Sequence, residues 1–310
     1  MADTPTAPKN PRNTTAITRH ALWFFFLVLF LYLAVQGGHI YSGDGLIMLR
    51  VTEAMVDRSE FAVRPIQGFE DYGVMKGRDG KRYAKYGIGL SLAGIPLYVA
   101  GDAIGRSMSP ADLRAFSYPD LLYYDRDDTH EVMTAFITSL TNPIIVAGLG
   151  AVLLALLLRL GFPMIPAFLA ALLFSLGSPV PFFAKTFFSE PLAALGLLGS
   201  LYYLIRYQKR PLSRYLAYSG AAFGVAVLAR IASIFVVPAL LVALWLIARE
   251  GKPKKGVLTV FGVWLAPTAL FGAVVAAYNQ IRFLNPFETG YGSEAGRFTS
   301  SFFEGLCGLL

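Results

Sequence analysis

The stretch VMTAFITSLTNPIIVAGLGAVLLALLL, residues 132–158, contains no charged side chain. A helix needs about 20 consecutive, predominantly apolar residues to cross the hydrocarbon core of a bilayer. This segment therefore predicts a transmembrane helix, and it sets the fold class of the chain. The composition agrees with it, because 55% of the 310 residues are hydrophobic and 15% are charged. Soluble domains carry about 25% charged residues.

Six further apolar stretches predict spans of the same kind, at residues 21–35, 162–177, 191–205, 215–229, 231–248 and 257–278. The predicted fold is an all-α membrane bundle of about seven transmembrane helices. Residues 87–101, GIGLSLAGIPLYVAG, are only 15 in number and include four glycines. We interpret this short piece as an interfacial or re-entrant segment rather than a span.

The net charge of +7 is concentrated in a few short segments, which is typical of a topology signal and not of a nucleic-acid-binding surface. Residues 206–214 carry basic charges alone, and residues 249–255 carry four basic and one acidic. Short basic loops stay in the cytoplasm. Both loops then lie on the side of the basic N-terminus, residues 1–20, which we expect to be disordered.

This topology divides the transmembrane region, residues 21–310, into alternating parts. Residues 37–131 form a long external loop after the first span, residues 132–278 contain six further spans, and residues 279–310 form an external tail. The loop is predicted to carry an amphipathic helix that rests on the membrane through its apolar positions, namely Leu46, Leu49, Val51, Ala54 and Met55.

Soluble-enzyme signatures are absent from the sequence: it holds no Walker motif, no HExxH and no GxSxG. The single cysteine, Cys307, excludes an intrachain disulfide. The three histidines are scattered along the chain, so no metal site is predicted.

Asp44 is the leading candidate for a catalytic residue. It lies in SGDG, residues 42–45, shortly after the first span, on the external side of the predicted topology. Glycine on both sides permits close approach of the backbone to a ligand. A carboxylate there is suited to accept a proton from an acceptor hydroxyl, although a solvated turn has the same composition.

The other candidates are polar side chains at the external ends of spans, together with two residues directly before the short segment 87–101. The structural alternative for each cation is an anchor whose charge reaches the headgroup region. The functional alternative is binding of a lipid phosphate, and a carboxylate at this depth is costly unless it is paired or used. The set consists of Tyr83, Lys85, Lys185, Glu190, Arg230 and Arg282.

These motifs together resemble the GT-C integral membrane glycosyltransferases, specifically bacterial relatives of the protein O-mannosyltransferases and of the lipid A aminoarabinose transferase. The resemblance rests on the order of SGDG (42–45), YAKYGIGLSLAGIPLY (83–98), KTFFSEPL (185–192) and YNQIRFLNPFETGYG (278–292). It extends over essentially the whole chain after residue 20. Family members usually have eleven or more spans, so we expect the chain to be an N-terminal fragment of a longer enzyme.

The resemblance implies a polyprenyl-phosphate-linked sugar as donor, with Asp44 as the base that activates an unspecified acceptor, which is a protein, a lipid or a polysaccharide. Lys85 and Arg230, with Lys185 or Arg282, would hold the departing lipid phosphate. Some relatives use a divalent cation; Asp44, Glu70 and Asp71 offer oxygen ligands for one, but the sequence does not require it. The implied location is the bacterial inner membrane, with the N-terminus in the cytoplasm and the site outside.

Two other functions compete with transfer. A transporter or flippase of lipid-linked saccharides would typically show internal repeats and polar residues near the bilayer midplane. No repeat is found, and the ionisable residues cluster at span ends. A non-catalytic membrane scaffold is the third alternative.

Overall fold

The computed structural model describes residues 14–40, 42–66, 71–109, 111–112, 129–250 and 256–292, together with residues 301, 304 and 307. Helices dominate this part of the chain. They are α1 (Thr14–Ala34), α2 (Gly43–Asp57), α3 (Gly89–Ser107), α4 (Thr129–Ser139), α5 (Thr141–Leu160), α6 (Met164–Leu176), α7 (Val180–Ala184), α8 (Glu190–Lys209), α9 (Ser213–Ala229), α10 (Val237–Glu250) and α11 (Val257–Phe283). A 3₁₀ helix, Ile231–Val236, leads into α10.

Four helical segments within the described residues are long and apolar enough to cross a membrane: Thr15–Ala34, Glu131–Leu160, Ile231–Arg249 and Val257–Phe283. Large apolar side chains on these segments are exposed, including Trp23, Phe30, Phe235 and Leu258. Water would not favour so much apolar surface on a folded monomer, whereas lipid does. The chain is therefore a helical membrane protein. Helices lie over all seven predicted spans, but the count of seven crossings stays a prediction.

Three large apolar clusters of the described residues hold most of the helices together, and α5 and α8 each contribute to more than one of them. The first joins α2 and α3 to the beginnings of α5 and α8. The second joins α1, α5 and α6, and the third joins α8 to α11. Helices distant in sequence also pack together, such as α1 on α5 and α9 on α11, and the segment before α4 is attached to the bundle through the first cluster.

The glycines of residues 87–101 have a packing role. This stretch begins just before α3 and forms most of it, and α3 continues to Ser107. A Cβ atom at Gly94 would lie 2.9 Å from the ring of Phe187, and one at Gly101 would lie 2.9 Å from the Cα of Thr134. The small side chains therefore allow α3 to contact α4 closely.

Helix α2 occupies the position of the predicted amphipathic helix, but its apolar side chains are buried in protein. Leu46, Leu49, Val51 and Ala54 belong to the core or pack beside it. Two hydrogen bonds fix α2 to α3, from Thr52 Oγ1 to the carbonyl of Ser91 (3.1 Å) and from Ser91 Oγ to the carbonyl of Met48 (2.8 Å). The face that was predicted to rest on the membrane is covered by α3.

A β hairpin lies within residues 37–131, the predicted external loop, and the sequence pattern did not indicate it. Its strands are β1 (Val74–Lys76) and β2 (Arg82–Ala84), paired antiparallel with Met75 opposite Tyr83. The turn contains Asp79-Gly80, with Gly80 at φ +78°. An Asp-Gly pair is a hairpin signal, but three-residue strands are too short to show a period of two.

The first and last helices have boundaries that differ from the predicted ones. Helix α1 begins at Thr14, so residues 14–20 are helical, although they were expected to be disordered. Residues 1–13 lie outside the described part. Helix α11 continues to Phe283, beyond the predicted end of the last span at residue 278.

We expect Gly220→Ala to destabilise the bundle. A Cβ atom at Gly220 in α9 would lie 2.0 Å from the carbonyl oxygen of Trp264 in α11, so the two helices would have to separate. Such overpacking costs about 1–3 kcal/mol of unfolding free energy. The thermal unfolding midpoint in detergent measures it. Gly262→Ala in α11 is the control, because a Cβ there meets nothing within 4 Å; equal midpoints for the two variants would contradict the prediction.

Candidate functional site

Asp44 lies in the first turn of α2, at the helix N-terminus. Ser42 caps this helix, since its Oγ accepts a hydrogen bond from the amide of Gly45 at 3.1 Å. A helix N-terminus stabilises negative charge. The N-terminal end of α2 therefore places a positive partial charge beside the Asp44 carboxylate.

Two tyrosine hydroxyls hold the Asp44 carboxylate in place. Tyr72 donates to Asp44 Oδ1 at 2.6 Å, and Tyr86 is also hydrogen-bonded to Asp44. Burial, together with this bond to the carboxylate, raises the pKa of Tyr86. The phenol therefore keeps its proton at neutral pH and remains a donor.

Glycines make room for both tyrosines. A Cβ atom at Gly43 would lie 2.7 Å from Tyr72 Cε1, and one at Gly73 would lie 2.9 Å from Tyr86 Oη. Gly73 also has φ +65°, a left-handed conformation that side chains with a Cβ rarely adopt. The glycine before Asp44 thus serves to seat the Tyr72 ring, in addition to any approach of a ligand.

The segment before α8 lies directly against the start of α2. A Cβ atom at Gly45 would lie 3.2 Å from the carbonyl oxygen of Phe187. Asn142, fully buried at the start of α5, holds this segment by donating from Nδ2 to the carbonyls of Thr186 (2.6 Å) and Phe188 (3.0 Å). The side chain of Lys185, at the end of α7, is exposed.

Glu190 and Arg230 form an ion pair between the first turn of α8 and the end of α9. Both side chains remain partly open, at 41% and 47% exposure. The end of α9 also lies beside the segment that follows β2, because a Cβ atom at Gly87 would lie 2.5 Å from the carbonyl oxygen of Ala229. Ala229, the residue before Arg230, therefore contacts Gly87, the residue after Tyr86.

Lys85 is half-buried between the hairpin and α3, and it has interaction partners within the protein. Its Cα would lie 3.1 Å from a Cβ atom at Gly290, so the segment after α11 packs against it. Tyr83 is buried and donates its hydroxyl proton to Asp79 Oδ2 at 2.8 Å. Burial and the neighbouring Asp79 carboxylate raise the pKa of Tyr83 to about 12.

Arg282 points into the protein and is 3% exposed. Its guanidinium donates to the carbonyl of Ala84 in β2 and to Asn279 Oδ1 at 2.6 Å. The guanidinium carbon lies 3.8 Å from the centroid of the Tyr278 ring. In this arrangement Arg282 attaches the hairpin to the end of α11.

The structure brings together several chain segments around Asp44. These segments carry Lys85, the Glu190–Arg230 pair and the chain near Gly290. The sequence pattern did not single out the two tyrosines that contact Asp44 in the described part of the chain. Tyr86 belongs to the YAKY motif, residues 83–86, which had already indicated a candidate site. No feature of the sequence around Tyr72 indicates a role for it.

A second charged region lies at the opposite end of α2, in a cleft of about 180 Å³. Its carboxylates are largely engaged within the protein. Glu53 pairs with Arg50 and Arg58, both at 2.7 Å, and Glu131 also pairs with Arg50. Asp44 is not part of this cleft. We assign these ion pairs to the attachment of α2 to α4.

The described residues do not offer a ready site for a divalent cation. No group of three or more His, Cys, Asp or Glu side chains in the described ranges is placed to hold one. The Asp44 carboxylate accepts a hydrogen bond from Tyr72, and Asp71 Oδ1 lies 3.4 Å from Arg82 Nε. Glu70, the third suggested ligand, lies outside the described residues. We therefore derive no step through a metal.

Comparison with known proteins adds one match. Residues 132–279, somewhat under half of the chain, match the sequence model of the dolichyl-phosphate-mannose-protein mannosyltransferase family. The matched region runs from α4 almost to the end of α11, so it includes Glu190 and Arg230 but neither Asp44 nor Lys85. No curated protein matches the chain. The family match supports a membrane glycosyltransferase of the GT-C type.

Proposed function

We propose that the protein transfers a sugar from a polyprenyl-phosphate donor to an acceptor on the external face of a bacterial inner membrane, with Asp44 as the base. One observation carries this proposal. Asp44 is a half-buried carboxylate, held by two tyrosines, at the place where segments bearing cations converge. The family match supports the same class of reaction.

The chemistry assigned to Asp44 is proton transfer. Its carboxylate accepts the proton of an acceptor hydroxyl while the acceptor oxygen bonds to the anomeric carbon of the sugar. The bond between that carbon and the phosphate oxygen breaks, and the electron pair leaves with the polyprenyl phosphate. Attack opposite to the leaving group inverts the anomeric centre. Tyr72 and Tyr86 keep the carboxylate oriented for this step.

The cations have a separate task in the proposal. Negative charge grows on the leaving phosphate, and fixed cations that stabilise it lower the barrier. Arg230 is suited to this because its guanidinium is oriented by Glu190 and yet is nearly half exposed. We assign the same task to Lys85 and Lys185. Glu190 orients Arg230, and Tyr83 and Arg282 support the hairpin that carries Lys85.

Incubation of membranes containing the protein with radiolabelled polyprenyl-phosphate sugars tests the function. A labelled product, identified as protein, lipid or polysaccharide, is the expected result. Labelled lipid that moves across sealed vesicles without any glycosylated product would instead favour the transporter. Unchanged phenotypes after joint replacement of Asp44, Lys85 and Arg230 would favour a scaffold.

We expect Arg230→Gln to lower kcat/KM by about 10- to 100-fold, because a charge-assisted hydrogen bond contributes about 1.5–3 kcal/mol. Initial rates over a range of donor concentrations measure the effect. Arg106→Gln is the matched control, since it removes an arginine from another exposed ion pair, the one with Asp102. An equal loss of activity in both variants would contradict the assignment of Arg230 to the phosphate.

A further inference from the structure

A group of arginine and tyrosine side chains lies at the opposite end of the bundle from Asp44. We name it the arginine–tyrosine cluster, and it consists of Arg159, Tyr202, Tyr203, Arg206, Arg214 and Tyr215. Arg159 is in the last turn of α5, Arg206 is near the end of α8, and Arg214 is in the first turn of α9. Three helix ends therefore contribute to it.

The length of α8 separates this cluster from the candidate active site. Glu190 begins α8 beside the Asp44 region, and Arg206 follows sixteen residues later on the same helix. At 1.5 Å per residue the two ends lie about 24 Å apart, close to the thickness of the hydrocarbon core. The cluster thus lies at the far end of α8 from the Asp44 region, on the opposite side of the membrane in the predicted topology, and it has no part in the proposed transfer.

The arginines of the cluster are held in fixed positions by tyrosines. The guanidinium carbon of Arg206 lies 4.2 Å from the ring centroid of Tyr215, and 5.8 Å and 5.9 Å from those of Tyr202 and Tyr203. Arg206 Nη2 also donates to the Tyr215 hydroxyl at 2.7 Å. Such contacts orient a cation. A topology signal requires only positive charge, so ordered guanidinium groups call for a further reason.

Arg159 contributes an unsatisfied donor to the cluster. Its Nε donates to the Tyr202 hydroxyl at 3.1 Å, and its guanidinium carbon lies 5.5 Å from the centre of that ring. Its Nη2 atom, in contrast, is buried and has no hydrogen-bond partner among the described residues. Buried polar groups are almost always hydrogen-bonded. This nitrogen therefore points to an acceptor supplied from outside the chain.

The positive charge of the cluster is not neutralised by the described part of the protein. None of its arginines is paired there with a carboxylate. Lys209 adds a fourth cation, because its Nζ donates to the carbonyl of Arg159. Four cations at three helix ends create a concentrated positive potential at the membrane surface.

We propose that the arginine–tyrosine cluster binds the headgroup phosphate of an anionic membrane lipid. Guanidinium groups present paired donors that match phosphate oxygens. Tyrosines favour the headgroup depth of a bilayer, and basic pockets between transmembrane helices bind anionic headgroups. The phosphate accepts from the buried Nη2 of Arg159 and from Arg206, while the acyl chains lie along the apolar sides of α5 and α8.

The test measures binding of phosphatidylglycerol to the full chain, purified and placed in phosphatidylcholine nanodiscs without any sugar donor. Native mass spectrometry counts the retained lipid. We expect Arg206→Gln to weaken retention about fivefold, the equivalent of one charge lost at a membrane surface. Excess inorganic phosphate is expected to leave the lipid bound. Since no donor is present, the outcome is independent of the proposed transferase activity.

Arg249→Gln is the matched control, because Arg249 is an exposed cation stacked on Trp245 outside the cluster. Its lipid retention should equal that of the unaltered protein. Equal weakening of both variants would show general surface electrostatics and overturn the proposal, as would displacement of the lipid by inorganic phosphate. If Arg206→Gln unfolds, Arg159→Gln replaces it, and retention unchanged in that folded variant would also refute the proposal.

Discussion

Asp44→Asn is expected to reduce sugar transfer by about 10²- to 10⁴-fold, the usual contribution of a positioned general base. The amide keeps the size of the side chain, and its oxygen still accepts from the Tyr72 hydroxyl. It cannot take up the acceptor proton, so the chemical step should be slowed while the protein remains inserted and folded. Single-turnover transfer from a labelled polyprenyl-phosphate sugar, with quantification of the protein in membranes, measures this.

Asp57→Asn provides the control for the Asp44 variant. Asp57 lies at the other end of the same helix and accepts from the Tyr98 hydroxyl at 2.7 Å. Both changes remove one carboxylate that is bonded to a tyrosine in α2. Transfer should stay within a few-fold of normal in the Asp57 variant. Full activity of Asp44→Asn, or equal losses in the two variants, would refute the role of Asp44 as the base.

Arg282→Ala is expected to cause the largest loss of stability among the single changes considered for this chain. It leaves the carbonyl of Ala84 and the Oδ1 atom of Asn279 without their donor, in a place closed to water. Unsatisfied buried acceptors cost about 1–3 kcal/mol each. A shift of the thermal unfolding midpoint in detergent measures the effect, and activity should fall with it because β2 leads to Lys85 and Tyr86.

Gln280→Ala serves as the control for this prediction, since Gln280 is exposed on the same turn of α11. Its midpoint should be unchanged. If Arg282 instead contacted a lipid phosphate, Arg282→Ala would lower kcat/KM at an unchanged midpoint. That result would contradict the structural role and support the phosphate-binding role predicted from the sequence.

The membrane character of the fold could be predicted from the sequence, because long apolar runs such as residues 132–158 have only one stable environment. Lateral packing could not be predicted. The apolar face of α2 pointed equally well to lipid and to protein, whereas in the structure Leu46 and Leu49 are buried in a cluster formed with several other helices. The short length and the glycines of residues 87–101 suggested an interfacial or re-entrant segment, which stays a prediction, and the contact that these glycines allow with α4 had no signal in the sequence.

In the candidate site, too, local sequence indicated some residues, while contacts between distant segments could not be predicted. Asp44 stood out because of its position after the first span and its two glycines. Its partner Tyr72 lies 28 residues away, at a spacing without any periodic signal. Arg282 was interpreted as a ligand for phosphate, and that role stays a prediction. Its contact with Ala84 spans 198 residues, and no local pattern encodes a pairing of that length.

The hairpin is translated long before the arginine that fastens it, because chains emerge from the ribosome with the N-terminal part first. Until α11 has been made, Arg282 is not there to donate to the Ala84 carbonyl in β2. The hairpin beside Asp44 then lacks its attachment to α11. A polypeptide ending before α11 would therefore contain Asp44, Tyr72 and Tyr86, but it would not hold the two tyrosines against the carboxylate. Supplying α11 as a separate, co-expressed segment should restore that order.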